Sequence, residues 1–186
     1  MSDHSHPSRG RQWAATLVMS AMLGGCAVIS EEECPGTDWY QKGVVDGTNG
    51  HAASRADNYT RVCSRAGVAV DVTAYYRGRE QGLQSYCTAH RGLQEGLRGA
   101  TYKHVCPAGT EARFLDGYHQ GRDVYQQQKA LDRLDAEIRT EEQRLQKARN
   151  SRERQRIRQN IRNLDHEAAR TRQSLRDSEA RLPRGY

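Results

Sequence analysis

The sequence predicts an all-α protein: a small disulfide-stapled helical domain followed by an antiparallel coiled-coil hairpin of two helices. Three observations predict it. Of the 17 glycines, 13 fall within residues 26–121 and none within 122–184. Four cysteines, Cys34, Cys63, Cys87 and Cys106, lie in the glycine-rich part. Beyond Gly121 the apolar residues follow heptads, with no glycine or proline before Pro183. At 186 residues, 35% hydrophobic and with a formal charge of +6, the chain is no polytopic membrane protein and no large enzyme with a deep core.

Residues 1–25 read as an export signal. Arg9 and Arg11 precede the apolar run from Trp13 to Leu23. Eleven helical residues span about 16 Å, far short of a bilayer core of about 30 Å, so the run is a secretory signal and not a membrane span. It ends in Leu23-Gly24-Gly25-Cys26, which resembles a bacterial lipobox. The resemblance implies cleavage before Cys26 and acylation of that cysteine. Ala27, where an aspartate would retain the chain at the inner membrane, implies the periplasmic face of the outer membrane of a Gram-negative cell.

In an exported chain, four remaining cysteines read as two disulfides, for which three pairings exist. Cys34–Cys63 with Cys87–Cys106 is favoured, because each pair flanks a predicted helix. In the chain-entropy model each contributes about 3–4 kcal/mol. No cysteine or histidine spacing suits zinc.

The 26–121 segment repeats itself. Tyr40-x-x-Gly43-x-x-x-Gly47 recurs as Tyr75-x-x-Gly78-x-x-x-Gly82 and as Phe114-x-x-Gly117-x-x-x-Gly121, with a degenerate copy at Ala89, Gly92 and Gly96. Positions i, i+3 and i+7 share one helical face. A glycine inside a helix costs about 0.8–1 kcal/mol relative to alanine, so eight of them demand compensation. Close backbone approach of helices is the expected source, although the segments are too polar for a membrane. The aromatics Tyr40, Tyr75, Tyr86 and Phe114 are either the core of this domain or a face that stacks on glycan or peptide. The glycines do not form a nucleotide-binding loop, since neither G-x-G-x-x-G after a strand nor G-x-x-x-x-G-K-[ST] occurs, and no other cofactor is implied.

These residues resemble a known family. Tyr40-x-x-Gly43-x-x-Asp46-Gly47 is its opening signature. Asp71-x-x-x-Tyr75-x-x-Gly78-Arg79-x-x-Gly82-Leu83-x-x-Tyr86-Cys87 and Gly96-x-x-Gly99-x-x-Tyr102-x-x-Val105-Cys106 follow. The pattern is similar to that of small bacterial lipoproteins grouped only as a domain of unknown function, over about 34–121. It implies an envelope protein and carries no activity to transfer.

In residues 122–182, Val124, Leu131, Leu134, Ile138 and Leu145 fit one heptad frame. Ile157, Ile161, Leu164, Ala168, Leu175 and Leu182 fit another. The frames break phase around Asn150-Ser151, as a hairpin with two arms of about 40 Å requires; one continuous helix with a discontinuity is the alternative. Gln127, Glu141, Thr171 and Ser178 occupy seam positions, so a partner or self-association would strengthen the hairpin. Asp135 and Arg139 read as an i,i+4 pair. Residues 122–186 carry 17 basic and 11 acidic side chains, net +6, against net −1 for 26–121. Arg152, Arg154, Arg156 and Arg158 gather near the predicted tip. Behind an export signal, anionic lipid, lipopolysaccharide phosphates or an acidic protein fit that tip better than nucleic acid.

Catalytic signatures are sparse. His90 or His104 near acidic residues would be needed for a hydrolase, but no serine elbow, paired carboxylates or H-E-x-x-H accompanies them. The favoured reading is a non-catalytic adaptor whose hairpin binds an envelope partner. A glycan- or peptide-binding module is the alternative, and a hydrolase comes after it.

Overall fold

The computed structural model describes residues 29–183, all of whose regular structure is helical. The lipobox-like segment with Cys26 lies outside the described residues, as do Arg9, Arg11 and the apolar run. A short 3-10 turn, Cys34–Gly36, leads into six α-helices. They are α1 (Trp39–Thr48), α2 (Arg55–Arg65), α3 (Val72–Tyr86), α4 (Ala89–Leu97), α5 (Ala108–Lys147) and α6 (Ser151–Ala180).

Local chemistry sets the ends. Asp38, Asp71, Thr88 and Asn150 each accept a hydrogen bond from the backbone N–H three residues on, capping α1, α3, α4 and α6. Gly50, Gly67 and Gly99 take positive φ directly after α1, α2 and α4. The N–H groups of Gly50 and His51 bond back to Gly47 and Asp46, and those of Gly99 and Ala100 to Gly96 and Glu95. These are Schellman closures, and the left-handed residue in each is a glycine because it has no Cβ to clash.

The repeated glycines assemble the domain as two equivalent helix pairs. In the first, a Cβ on Gly43 or Gly47 of α1 would lie closer than 3.0 Å to backbone atoms of Tyr75 and Arg79 on α3. Reciprocally, Gly78 and Gly82 face the carbonyls of Tyr40 and Val44. Contacts advance together along both helices, so α1 and α3 run parallel and are related by a local two-fold. The second pair, α4 with α5, repeats this: Gly92 and Gly96 face the carbonyls of Phe114 and Tyr118, while Gly117 and Gly121 face those of Ala89 and Leu93. Each glycine directs a Cα–H at a carbonyl oxygen of the partner helix, a weak hydrogen bond characteristic of such close crossings. Backbone approach therefore offsets the helix-propensity cost of the glycines.

The disulfides join Cys34 to Cys63 and Cys87 to Cys106, with Cα–Cα distances of 5.5 and 5.6 Å. In each pair of helices, a disulfide ties the chain ahead of the first helix to the connection that reaches the second. The loop closed by Cys34–Cys63 holds α1 and most of α2, rather than the single helix expected between those cysteines. The side chains of Ile29, Trp39, Tyr59 and Tyr75 surround that bridge. The other bridge packs with Leu83, Tyr86, Tyr102 and Phe114. Tyr86 of α3 stacks on Phe114 of α5 at 5.1 Å between ring centroids, joining the two pairs.

Residues 122–180 form the antiparallel hairpin, with Ala148–Asn150 as its turn. Two cross-helix bonds fix its register, Gln127 Nε2 to Ser178 Oγ at 2.9 Å and Arg172 to Asp135 at 3.2 Å. Asp135 thus pairs across the hairpin, and not with Arg139. Leu131, Leu134, Ala168 and Leu175 are its buried seam. The boundary expected after Gly121 is not a break, because α5 is one helix of 40 residues, about 60 Å long. It enters the domain through Gly117 and Gly121 and leaves it as the first arm of the hairpin. Gly121 survives inside a helix because it packs on the backbone of Leu93 and Leu97.

Candidate interaction site

The domain holds two buried acids at corresponding places, Asp46 in α1 and Glu95 in α4. Each precedes the second glycine of its repeat by one residue. Asp46 is caged from other helices: its Oδ2 accepts from Tyr59 Oη at 2.7 Å and Tyr75 Oη at 2.9 Å, and its Oδ1 from Arg55 at 3.1 Å. A buried carboxylate needs this compensation, since leaving water is costly for an ion. Burial, then the carboxylate, pushes the Tyr59 and Tyr75 hydroxyls well above the usual tyrosine range. Both stay protonated and act as donors. Glu95 is instead paired along its own helix and cap: Arg98 donates to its Oε1 at 2.5 Å, and Arg91 Nε lies 3.0 Å from the same oxygen as an ion pair without a hydrogen bond. The Arg91 guanidinium also sits 5.7 Å from the centroid of the Tyr86 ring. Burial drives the Tyr86 hydroxyl up to about 12.

The ends of α1 and α4 are covered in parallel ways. Arg79 of α3 donates to the carbonyl of His51 at 2.9 Å, and Tyr118 of α5 donates to that of Ala100 at 2.7 Å. The ring of Tyr86 covers Gly50, and that of Tyr125 covers Gly99. Sequence reasoning missed these roles of Asp46, Tyr59, Arg79 and Tyr118. The recurrence of an acid before the second glycine, Asp46 and Glu95, was the one signal available.

Of the two roles left open for the aromatics, this geometry assigns the core and corrects the ligand face. Tyr75 is wholly buried in the cluster around the Cys34–Cys63 bridge, while Phe114, wholly buried, and Tyr86, nearly so, stack where the two helix pairs meet. Their rings present no surface to a glycan or peptide. Tyr40 differs, with 38% of its surface exposed; among the described residues, Val45, Val72 and Tyr76 are the other large exposed apolar side chains. His90 is within 2.9 Å of the Gln94 amide, and His104 Nδ1 is 3.4 Å from Glu111 Oε1. Neither is placed against a nucleophile among the contacts that hold it.

At the hairpin turn, Asn150 caps α6 by accepting from Glu153 N–H at 2.8 Å, and its amide Nδ2 donates to Glu153 Oε2 at 3.2 Å. Arg154 points into the turn and donates to the carbonyls of Leu145 and Ala148, both at 3.3 Å. It closes the C-terminus of α5, which removes it from the group of free tip arginines. Arg152, Arg156 and Arg158 are exposed. Arg144 and Glu141 lie beside them as an ion pair of 2.6 Å. Among the described residues, no group of three or more His, Cys, Asp or Glu side chains is placed to hold a metal ion. No described helix is long and apolar enough to cross a membrane.

No curated protein and no solved structure matches the chain. Residues 38–123, from the cap of α1 to just past Gly121 and so both glycine-packed pairs, match the family described as a protein of unknown function (DUF2799).

Proposed function

We propose that this chain is a lipid-anchored cell-envelope protein with a non-catalytic structural or adaptor role, in which the hairpin of α5 and α6 is the partner-binding arm. One observation carries the reading. α5 packs its first part into the glycine domain through Phe114, Gly117 and Gly121, and its second part into the hairpin through Leu131 and Leu134. Whatever engages the arm is thereby coupled, through an unbroken helix, to the domain that follows Cys26. The arm has a thin apolar seam and a heavily charged exterior, which suits it to a second protein or a second copy better than to a small apolar ligand.

Cys26 is the proposed acylation site, on the periplasmic face of the outer membrane. Arg152, Arg156 and Arg158 are the residues proposed for anionic lipid or lipopolysaccharide phosphates; Arg154 leaves that set because its guanidinium is engaged in the turn.

The test is a cross-linked pull-down from native envelopes with the full chain and with a form ending at Gln128. That end point keeps Arg122 and Tyr125, which pack on Gly99. Partners identified with the full chain and absent with the shortened one support the adaptor. The same partners retained by the shortened form overturn it.

A further inference from the structure

The described chain begins with a buried residue. Ile29 is 4% exposed, in one cluster with Cys34, Trp39, Tyr59 and Cys63. The residues after it are fixed as firmly. Ser30 N–H donates to Glu33 at 2.7 Å, Glu31 pairs with Arg65 at 2.7 Å, and Cys34 is bridged to Cys63. The chain therefore emerges from the domain at one defined place, the C-terminal end of α2.

Only Ala27 and Val28 separate Ile29 from Cys26. With consecutive Cα atoms 3.8 Å apart, three links reach at most about 11 Å. An acylated cysteine keeps its backbone at the level of the lipid head groups, a layer about 5–8 Å thick on each side of the bilayer. There is no length left for a flexible spacer.

We infer that the end of α2 around Ser64–Ala66, with Glu31–Glu33, is a membrane-apposed face that seats the domain directly on the bilayer surface. The inference rests on the proposed acylation of Cys26 and adds to it an orientation. The face presents no apolar patch for insertion: Glu31, Glu32, Glu33, Arg61, Ser64 and Arg65 are all exposed. It is suited to lie among zwitterionic head groups, whose ammonium and phosphate groups match carboxylates and guanidinium alike. The consequence is a protein held at a fixed attitude, with its arm carried by the second helix pair rather than by the seated one.

The experiment uses the full acylated chain in vesicles of phosphatidylethanolamine and phosphatidylcholine with a radiolabelled phospholipid. The photo-cross-linker p-benzoylphenylalanine replaces Ala66. A second chain carries the same label and a glycine–serine spacer of about 20 residues between Val28 and Ile29, whose root-mean-square length is about 25 Å. The expected result is strong cross-linking of lipid to position 66, falling several-fold with the spacer while helicity by circular dichroism is unchanged. Weak cross-linking in both, or equal cross-linking in both, overturns the seated face. Mass spectrometry of the same preparation separates the two readings. A chain without acyl groups on Cys26 sinks the anchor and the face together, whereas an acylated chain with weak labelling at 66 sinks the face alone.

Discussion

The glycine-packed pairs and the hairpin both set two helices side by side, yet by opposite means. In α1–α3 and α4–α5 the contact is backbone on backbone, and the side chains that matter surround the crossing. In α5–α6 the contact is a seam of leucine and alanine interrupted by polar residues. The first arrangement has no room for even a methyl group at eight positions, while the second accommodates Gln127 opposite Ser178. The family match follows the first arrangement and stops where the second begins. The lesson is that one helix, α5, can serve both because its glycines stop at Gly121.

Substitution of a crossing glycine is the strongest way to break this comparison. Gly78→Ala drives a methyl group into the carbonyl of Tyr40, a backbone atom with no freedom to move aside. It is expected to cost about 3 kcal/mol, the upper end for overpacking, read by urea denaturation. Gly117→Ala should cost a similar amount in the second pair, and a small effect there would show the pairs not to be equivalent. Gly109→Ala, in the first turn of α5 with nothing within 4 Å, should be neutral or stabilising by up to about 1 kcal/mol.

The buried acids sharpen the comparison between the two pairs. Asp46→Ala strands two buried tyrosine hydroxyls and Arg55, and is expected to lose about 2–4 kcal/mol. Glu95→Ala frees Arg91 and Arg98, both partly exposed, and should lose less. Equal losses would remove the distinction between an acid caged by other helices and one satisfied along its own.

Alkaline pH should unfold the domain through its tyrosines. A folded-state pKa raised above the unfolded value gives stability that is complete below the unfolded pKa and lost as pH climbs to the folded one. For Tyr86 that window runs from about 10 to about 12, and Tyr59, Tyr75 and Tyr102 are shifted in the same direction by burial. Tyrosinate absorbance and loss of helicity should rise together between those values. Ionisation of all the buried tyrosines near pH 10 without unfolding would sink the cage.

The smallest expected effect lies in the hairpin. Replacing Gln127 and Ser178 together by leucine should leave stability unchanged or raise it by about 1 kcal/mol, since a polar layer specifies register at a cost in stability. Double electron–electron resonance across the arms would show more than one register if the Gln127–Ser178 bond sets it.

Much of this architecture is legible in the residues. Glycines four apart on helical faces announce helix crossings, and the phase slip at Asn150-Ser151 announces a turn, because a/d positions cannot stay on one seam across it. The aromatics left open between core and ligand face divide for a physical reason. Tyr40 and Tyr75 occupy the same place in the repeat, but the two-fold of α1 and α3 puts them on opposite sides of the crossing. α2 supplies Tyr59 against Tyr75, whose rings lie 5.6 Å apart, and Tyr40 stays partly exposed. Identical local patterns thus acquire different environments from elements far away in sequence. Arg154 carries the same lesson, as one of four alternating arginines turned inward by the carbonyls that α5 leaves unpaired.

By itself, then, the sequence determined the helices, their caps, their closing glycines and the hairpin, since each depends on propensities and spacings within a few residues. Tertiary structure alone decided that α1 pairs in parallel with α3 and α4 with α5, that α5 runs unbroken past Gly121, and that Asp46 is held by Tyr59 and Tyr75. Those outcomes depend on which backbones approach closely enough for a glycine to be required, and a single strand of residues does not carry the identity of its partner.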